Sequence, residues 1–133
     1  MGLVVDSDVW ILAGRSDKQL HLARWSDYGG ACMSAITANE LLVYPKHAST
    51  AERKARRGVF IESLLSIISA LEFSTPIART FARLIAALPK NVIAGAHDAS
   101  IAASASHRGY AVLTRKVADF KIFAGLKVGA FNL

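Results

Sequence analysis

The sequence predicts an α/β fold in which a short, mainly parallel sheet of four to five strands is flanked by helices. Short apolar runs alternate along the chain with segments of helical periodicity. Strands separated by helices need crossover connections, which favour parallel pairing. The chain has 133 residues, the length of one ordinary domain. We therefore expect residues 1–133 to form a single domain.

Five short runs predict the strands of this sheet. Each is apolar and short enough to be buried on both faces, as the strands of a parallel sheet are. The first four comprise residues 3–5, 31–34, 71–73 and 110–113. Residues 127–131 are the candidate for a fifth strand.

Capping residues and prolines delimit the helices between these runs. One predicted helix begins at Ser16 or Asp17 and ends at Gly29, the next begins at Ser34 or Thr37 and is stopped by Pro45, and a long one begins at Ser49 or Thr50. The last two predicted helices run from Thr75 to Pro89 and from Asp98 to His107, the latter closed by Gly109. The longest apolar stretch, residues 58–73, is broken by serines and glutamates. A membrane span needs about 18 clean apolar residues, so this stretch predicts a buried helix instead.

Charge and cysteine content narrow the class of protein. Sixteen Lys and Arg against ten Asp and Glu give a net charge of +6, which attracts polyanions. Cys32 is the only cysteine, so an intrachain disulfide or a multi-cysteine zinc site is excluded. No basic segment precedes the first apolar run, and Asp6 stands where a myristoylation motif has Ser or Thr, so we expect no export or anchoring signal. We expect a cytoplasmic protein without membrane association.

Four acidic residues lie where an open α/β sheet binds its ligands, at the carboxyl ends of strands. Asp6 ends the first strand, and Glu40 lies in the helix after the second. Asp98 begins the helix before the fourth strand, and Asp119 follows that strand. Asp98 and Asp119 could instead cap helices, and Glu40 could be a solvated helix residue. Asp6 is harder to explain in this way, because an acid directly after a buried apolar run is costly without a partner.

Carboxylates gathered in one partly buried cleft would repel each other and raise each other's pKa values unless a cation joined them. A divalent metal is the simplest such cation. Ligands that are all oxygen favour Mg²⁺ or Mn²⁺. Such a site can polarise a phosphodiester, activate a bound water and stabilise the leaving oxygen.

Four motifs, in order along the chain, resemble those of the PIN domain, and within that family those of the VapC-type ribonuclease toxins of toxin–antitoxin pairs. They are the run LVVDSDVWI from Leu3, SAITANEL from Ser34, HDASIAASA from His97, and TRKVADF from Thr114 followed by GLKV from Gly125. Together they cover nearly the whole chain. Four motifs at matching spacing are far more specific than any one of them.

The resemblance implies a three-layer PIN-like fold and Mg²⁺- or Mn²⁺-dependent cleavage of RNA by a metal-activated water. It also implies a homodimer and a cognate antitoxin protein as partner. Apolar stripes over residues 60–68 and 77–88 exceed the needs of one sheet face and favour a dimer as well. By motif position the catalytic and metal-binding residues would be Asp6, Glu40, Asp98 and Asp119, with Ser7 and Thr114 supporting the first and last acids through hydrogen bonds.

Several positions stand apart from the motifs. Lys116 occupies a position where the family usually has Asn, and it could weaken a second metal ion or bind the scissile phosphate. Tyr44 replaces a common glycine. The basic residues between 53 and 57 could contact RNA or form a solvated helix face. His97 most simply has a capping or surface role.

Two other functions are open. The sequence Asp6-Ser7-Asp8 after an apolar strand also resembles the nucleophile motif of haloacid-dehalogenase-like phosphatases, although the later acidic pair of that family is missing. A PIN fold that has lost turnover could instead act as an RNA- or protein-binding module, and Lys116 is the residue that favours this alternative.

Overall fold

Five parallel strands form the central sheet in the computed structural model, which describes residues 1–15 and 27–131. Their order across the sheet is β3-β2-β1-β4-β5, and every neighbouring pair is parallel. The strands are β1 (Gly2–Val5), β2 (Gly30–Ser34), β3 (Ala70–Leu71), β4 (Ala111–Thr114) and β5 (Val128–Ala130). The predicted mainly parallel sheet is confirmed.

Helices connect these strands. In the described part of the chain they are α1 (Ser7–Arg15), α2 (Ala35–Val43), a 3-10 helix (Tyr44–His47), α3 (Ala51–Ile67), α4 (Thr75–Ala86), α5 (Ala96–Arg108) and α6 (Val117–Phe120). The helical segment predicted to begin at Ser16 or Asp17 lies mostly outside the described residues. None of the helices in the described ranges is long and apolar enough to cross a membrane.

Hydroxyl side chains begin three of the helices, as the sequence predicts for two of them. The oxygens of Ser34 and Thr50 accept hydrogen bonds from backbone N–H groups three residues later. For α4 the cap is Ser74, one residue before the predicted Thr75. Helix α5 ends as predicted at Gly109, whose positive φ of 69° suits a residue without a side chain.

The sheet separates two apolar cores, which makes the fold three-layered. Leu3 and Val5 of β1 face a core completed by α1, α2 and α3, whereas Val4 faces a core completed by α4, α5 and the region of Phe120. This alternation follows from the period of two along a strand. The predicted three-layer architecture is confirmed, and it places the carboxyl ends of β1, β2 and β4 at one edge.

The stretch over residues 58–73 is not a buried helix, contrary to the prediction. Its helical part belongs to α3, where only Ile61 and Leu64 are buried. Val59 and Ile67 are 69% and 78% exposed. Helix α3 packs one face on the sheet, and its 3.6-residue period turns the other apolar side chains outward.

The third strand is shorter than predicted and ends earlier. It pairs Ala70 with Met33 and Leu71 with Ser34, and it stops there. Phe73 is half-exposed and packs edge-on against Phe81 of α4, with ring centroids 6.1 Å apart. Because α4 is capped at Ser74, the chain has already left the sheet at Phe73.

Candidate active site

Asp6 is the buried centre of the site. It follows β1, the middle strand, and is 1% exposed. Its Oδ1 accepts a 2.8 Å hydrogen bond from the backbone N–H of Ser7, and its Oδ2 accepts one of 2.8 Å from the Thr114 hydroxyl. Its own N–H donates to the carbonyl of Leu113. These bonds fix the carboxylate in one orientation between β1 and β4.

Ser7 connects Asp6 to Glu40. Its hydroxyl lies 3.5 Å from Asp6 Oδ1 and donates across 3.3 Å to Glu40 Oε2. Helix α2, which begins beside the end of β2, therefore brings Glu40 to the same edge as Asp6. The other Glu40 oxygen lies 3.6 Å from His97 Nδ1. His97 is exposed, as predicted, but it borders the site.

Lys116 links Asp98 to this centre. Its Nζ lies 3.0 Å from Asp98 Oδ1 and 4.0 Å from Asp6 Oδ2, and its backbone N–H donates to the Thr114 hydroxyl at 2.9 Å. Burial alone would lower the pKa of Lys116. The hydrogen bond to Asp98 and the charges of Asp6, Asp98 and Asp8 outweigh burial and raise that pKa above its ordinary value.

Asp8 is a further carboxylate at this edge, and the family motifs do not assign it a role. It lies in the first turn of α1. Burial, and then the charge of Asp6, raise its pKa, while Lys116 and the backbone N–H groups of Arg115 and Val9 oppose the rise. Its Oδ1 is buried without a hydrogen-bond partner in the described part of the chain. Asp8 lies two residues after Asp6 in the sequence, and this spacing is the signal from which Asp8 could have been predicted as a site residue.

Asp119 lies at the rim rather than in the centre. It is exposed on α6, and its carboxylate makes no ion pair within residues 1–15 and 27–131. It shares with Asp98 the lining of a groove of about 320 Å³. The structure thus brings Asp6, Glu40 and Asp98 together through Ser7 and Lys116, and places Asp119 beside Asp98.

The chemistry of these donors suits an oxygen-binding divalent cation. Asp6, Asp8 and Asp98 surround one positive charge, the Lys116 ammonium, and Asp8 has an unpaired buried oxygen. Among the described residues, no three acidic, His or Cys side chains are close enough together to hold a metal as they stand. In this structure the positive charge that these carboxylates share is the Lys116 ammonium.

A family profile of the PIN domain matches residues 3–123. The chain therefore belongs to the PIN-domain family, as the motifs indicated. Within that family it is 36% identical over 129 residues to Ribonuclease VapC1 of Rickettsia felis. The alignment covers 96% of this chain and 95% of that protein. This relative confirms the resemblance to VapC-type proteins. A haloacid-dehalogenase-like phosphatase is thereby excluded.

Solved structures have the same fold. VapBC2 from Rickettsia felis, bound to a DNA fragment from its promoter, contains a chain that superposes with a TM-score of 0.85 at 18% identity, covering 99% of this chain and 100% of that one. VapBC-5 from Mycobacterium tuberculosis, a member of the VapBC family of toxin–antitoxin systems, gives a TM-score of 0.76 at 26% identity, covering 99% and 98%.

Proposed function

We propose that the protein is the toxin of a toxin–antitoxin pair, an endoribonuclease that hydrolyses RNA phosphodiester bonds with the help of Mg²⁺ or Mn²⁺. The observation that carries the proposal is the buried Asp6 carboxylate, held in one orientation beside Asp98 in a chain 36% identical to a VapC ribonuclease. A cytoplasmic location is part of the proposal, because that is where RNA substrates are found.

The residues that would hold the metal are Asp6, Glu40, Asp98 and Asp119, with Asp8 as an additional oxygen donor. A bound ion would polarise the phosphodiester and lower the pKa of a water molecule. Carboxylate oxygens are the ligands that Mg²⁺ and Mn²⁺ prefer.

The protein's own groups prepare the site for this chemistry. The Ser7 N–H and the Thr114 hydroxyl prevent the Asp6 carboxylate from rotating. Lys116 neutralises Asp6 and Asp98 in the free protein, and an ammonium released from them can bind a phosphate oxygen. Asp98 and Asp119 line an open groove beside α6, where a substrate could approach these two acids.

The proposed partners follow from the relatives. VapBC-5 is described as a member of a toxin–antitoxin family, and this chain covers 98% of the matched chain. We propose an antitoxin protein as the partner of this chain as well. A homodimer is also part of the proposal, because several large apolar side chains are exposed, among them Val59, Ile67 and Phe73.

The test is an RNA-cleavage assay with purified protein free of antitoxin. EDTA should abolish cleavage, Mg²⁺ or Mn²⁺ should restore it, and Zn²⁺ should not be required. Cleavage that persists in EDTA would contradict the role of the four carboxylates.

The second candidate is a PIN-fold binding module without turnover. The observation that favours it is the Lys116 ammonium among the acids, where it competes with a metal. The same assay separates the two functions: a binding module would retain RNA without cleaving it, whichever metal is added.

A further inference from the structure

A second concavity lies away from the acidic site. It has a volume of about 410 Å³ and is formed by the end of α1, the 3-10 helix and the first turns of α3. Four arginines line it together with two aromatic residues, Tyr44 and Phe60. We call the set of Arg15, Arg53, Arg56, Arg57 and Tyr44 the arginine pocket.

Tyr44 fixes two of the guanidinium groups. Arg15 donates a 2.9 Å hydrogen bond from Nε to the Tyr44 hydroxyl, and its guanidinium carbon lies 5.5 Å from the ring centroid. Arg57 lies over the ring at 4.4 Å. Cation–π contacts of this kind restrict long side chains to one region without neutralising their charge. The two arginines are therefore positioned before any ligand binds.

The arginine pocket holds a surplus of positive charge. Glu52 pairs with Arg56 at 3.0 Å, and both side chains are exposed. Arg53 lies 3.4 Å from the neutral Ser49 hydroxyl, and Arg15 and Arg57 meet the neutral Tyr44. In the described ranges, one carboxylate thus faces four guanidinium groups. Fixed, unneutralised guanidinium groups in a concavity suit a phosphate, which they bind through paired N–H donors.

Two helices connect the arginine pocket to the acidic site. The backbone N–H of Tyr44 bonds to the carbonyl of Glu40, so Tyr44 lies one turn beyond that acid. Helix α1 begins at Ser7 beside Asp6 and ends at Arg15. Eight residues of helix span about 12 Å, the length of a few nucleotides at about 3.4 Å each along a stacked strand.

We propose that the arginine pocket binds a backbone phosphate of single-stranded RNA a few nucleotides from the bond that is cleaved. The inference rests on the proposed function, because it takes the substrate to be RNA. RNA is favoured over an acidic protein segment because α1 and α2 connect this pocket directly to Asp6 and Glu40.

The experiment measures binding of a short, fluorescently labelled single-stranded RNA in EDTA, so that cleavage does not interfere. Wild type is compared with the double variant Arg53→Gln/Arg57→Gln. The matched control is Arg79→Gln/Arg108→Gln, which removes the same charge from exposed positions on α4 and α5. Circular dichroism verifies that each variant is folded.

We expect the pocket variant to bind RNA at least about tenfold more weakly than wild type. In a plot of log binding constant against log salt concentration, its slope should be shallower by about 0.7 for each phosphate contact removed. The control should change affinity less than about threefold. In a cleavage assay with metal, the pocket variant should raise KM and leave kcat unchanged.

Two results of the binding experiment would overturn the inference. One is a pocket variant that binds RNA as wild type does, which is also the result expected if the pocket receives an acidic protein segment. The other is an equal loss in the control, which would mean that net charge alone holds RNA. Pocket-dependent RNA binding without cleavage in Mg²⁺ or Mn²⁺ would support this inference and contradict the proposed function. Cleavage with an unaltered KM would overturn only the inference.

Discussion

The ammonium of Lys116 lies 3.0 Å from Asp98 Oδ1, and this ion pair holds a positive charge 4.0 Å from the buried carboxylate of Asp6. The lysine therefore acts as an internal counter-ion of the two carboxylates. Opposite charges at such distances stabilise each other most where burial limits screening by water, and Asp6 is almost fully buried.

Replacing Lys116 by Met should lower the melting temperature in EDTA, because Asp6, Asp8 and Asp98 lose their counter-ion. A partly exposed ion pair is worth up to about 1 kcal/mol, which corresponds to roughly 3 °C for a chain of this size. Added Mn²⁺ should then raise the melting temperature of this variant more than that of wild type. The control is Lys121→Met, which removes an exposed lysine just after α6. Equal responses of the two variants would show that Lys116 does not compete with metal.

Thr114→Val should destabilise the fold, because it removes a buried hydroxyl that donates to Asp6 and accepts from the Lys116 N–H. Leaving buried polar partners unsatisfied costs about 1–3 kcal/mol. Thr114→Ser retains the hydroxyl and should recover much of that loss in a urea titration. A Val variant as stable as wild type would mean that the hydroxyl does not support Asp6.

Asp6→Asn should reduce RNA cleavage by orders of magnitude, because it removes the most buried negative charge of the site at constant size. Its melting temperature in EDTA should stay within about 3 °C of wild type. The substitution weakens the hydrogen bond that the Thr114 hydroxyl donates to Asp6, which destabilises the fold, but it also removes the repulsion between Asp6 and Asp8, which stabilises it. Glu62→Gln, on the exposed side of α3, should cleave normally. A folded Asp6→Asn protein with full activity would show that Asp6 is structural.

Cys32 should resist alkylation at neutral pH. Burial raises the pKa of its thiol, although the charge of Arg108 opposes this, so little thiolate forms in the folded protein. Because the folded state keeps the proton longer than the unfolded state, stability should fall as pH rises beyond the unfolded pKa of about 8.5. The measurement is the rate of reaction with iodoacetamide against pH, with urea-unfolded protein as the control. Equal rates in the two states would contradict the prediction.

Light scattering at micromolar concentration should give a particle of twice the chain mass of 14.3 kDa. The reason is the exposure of large apolar side chains such as Val59, Ile67 and Phe73, which a monomer would leave in water. A particle of 14.3 kDa under these conditions would contradict the homodimer.

Local sequence patterns predicted the sheet well where strands are buried on both faces. The observed β1 and β4 begin and end within one residue of the predicted runs, residues 3–5 and 110–113. The prediction extended the third strand to Phe73, whereas the strand ends at Leu71. Phe73 packs against Phe81 of α4 instead of the sheet. Burial of α3 was overestimated because an apolar run does not show which of its faces meets the sheet.

The acidic site was predictable in part. The rule that ligands bind at the carboxyl ends of parallel strands selected Asp6, and the structure joins it to Glu40 and Asp98 through Ser7 and Lys116. The ion pair of Lys116 with Asp98 was not predictable, because it depends on how α5 packs beside β4. The contacts of Arg15 and Arg57 with the Tyr44 ring were not predictable either, because the two arginines lie on separate helices whose packing the sequence does not show.

The pairing of β1 with β4 also determines when the site can form during synthesis. The hydrogen bond from Thr114 to Asp6 spans 108 residues of chain, and the Asp6 N–H bonds to Leu113. Contacts of such long range form only after the intervening chain has closed into a loop. A polypeptide still growing on the ribosome therefore cannot orient Asp6 until the β4 segment has left the exit tunnel. Translation that stops before that segment yields a fragment without an assembled active centre.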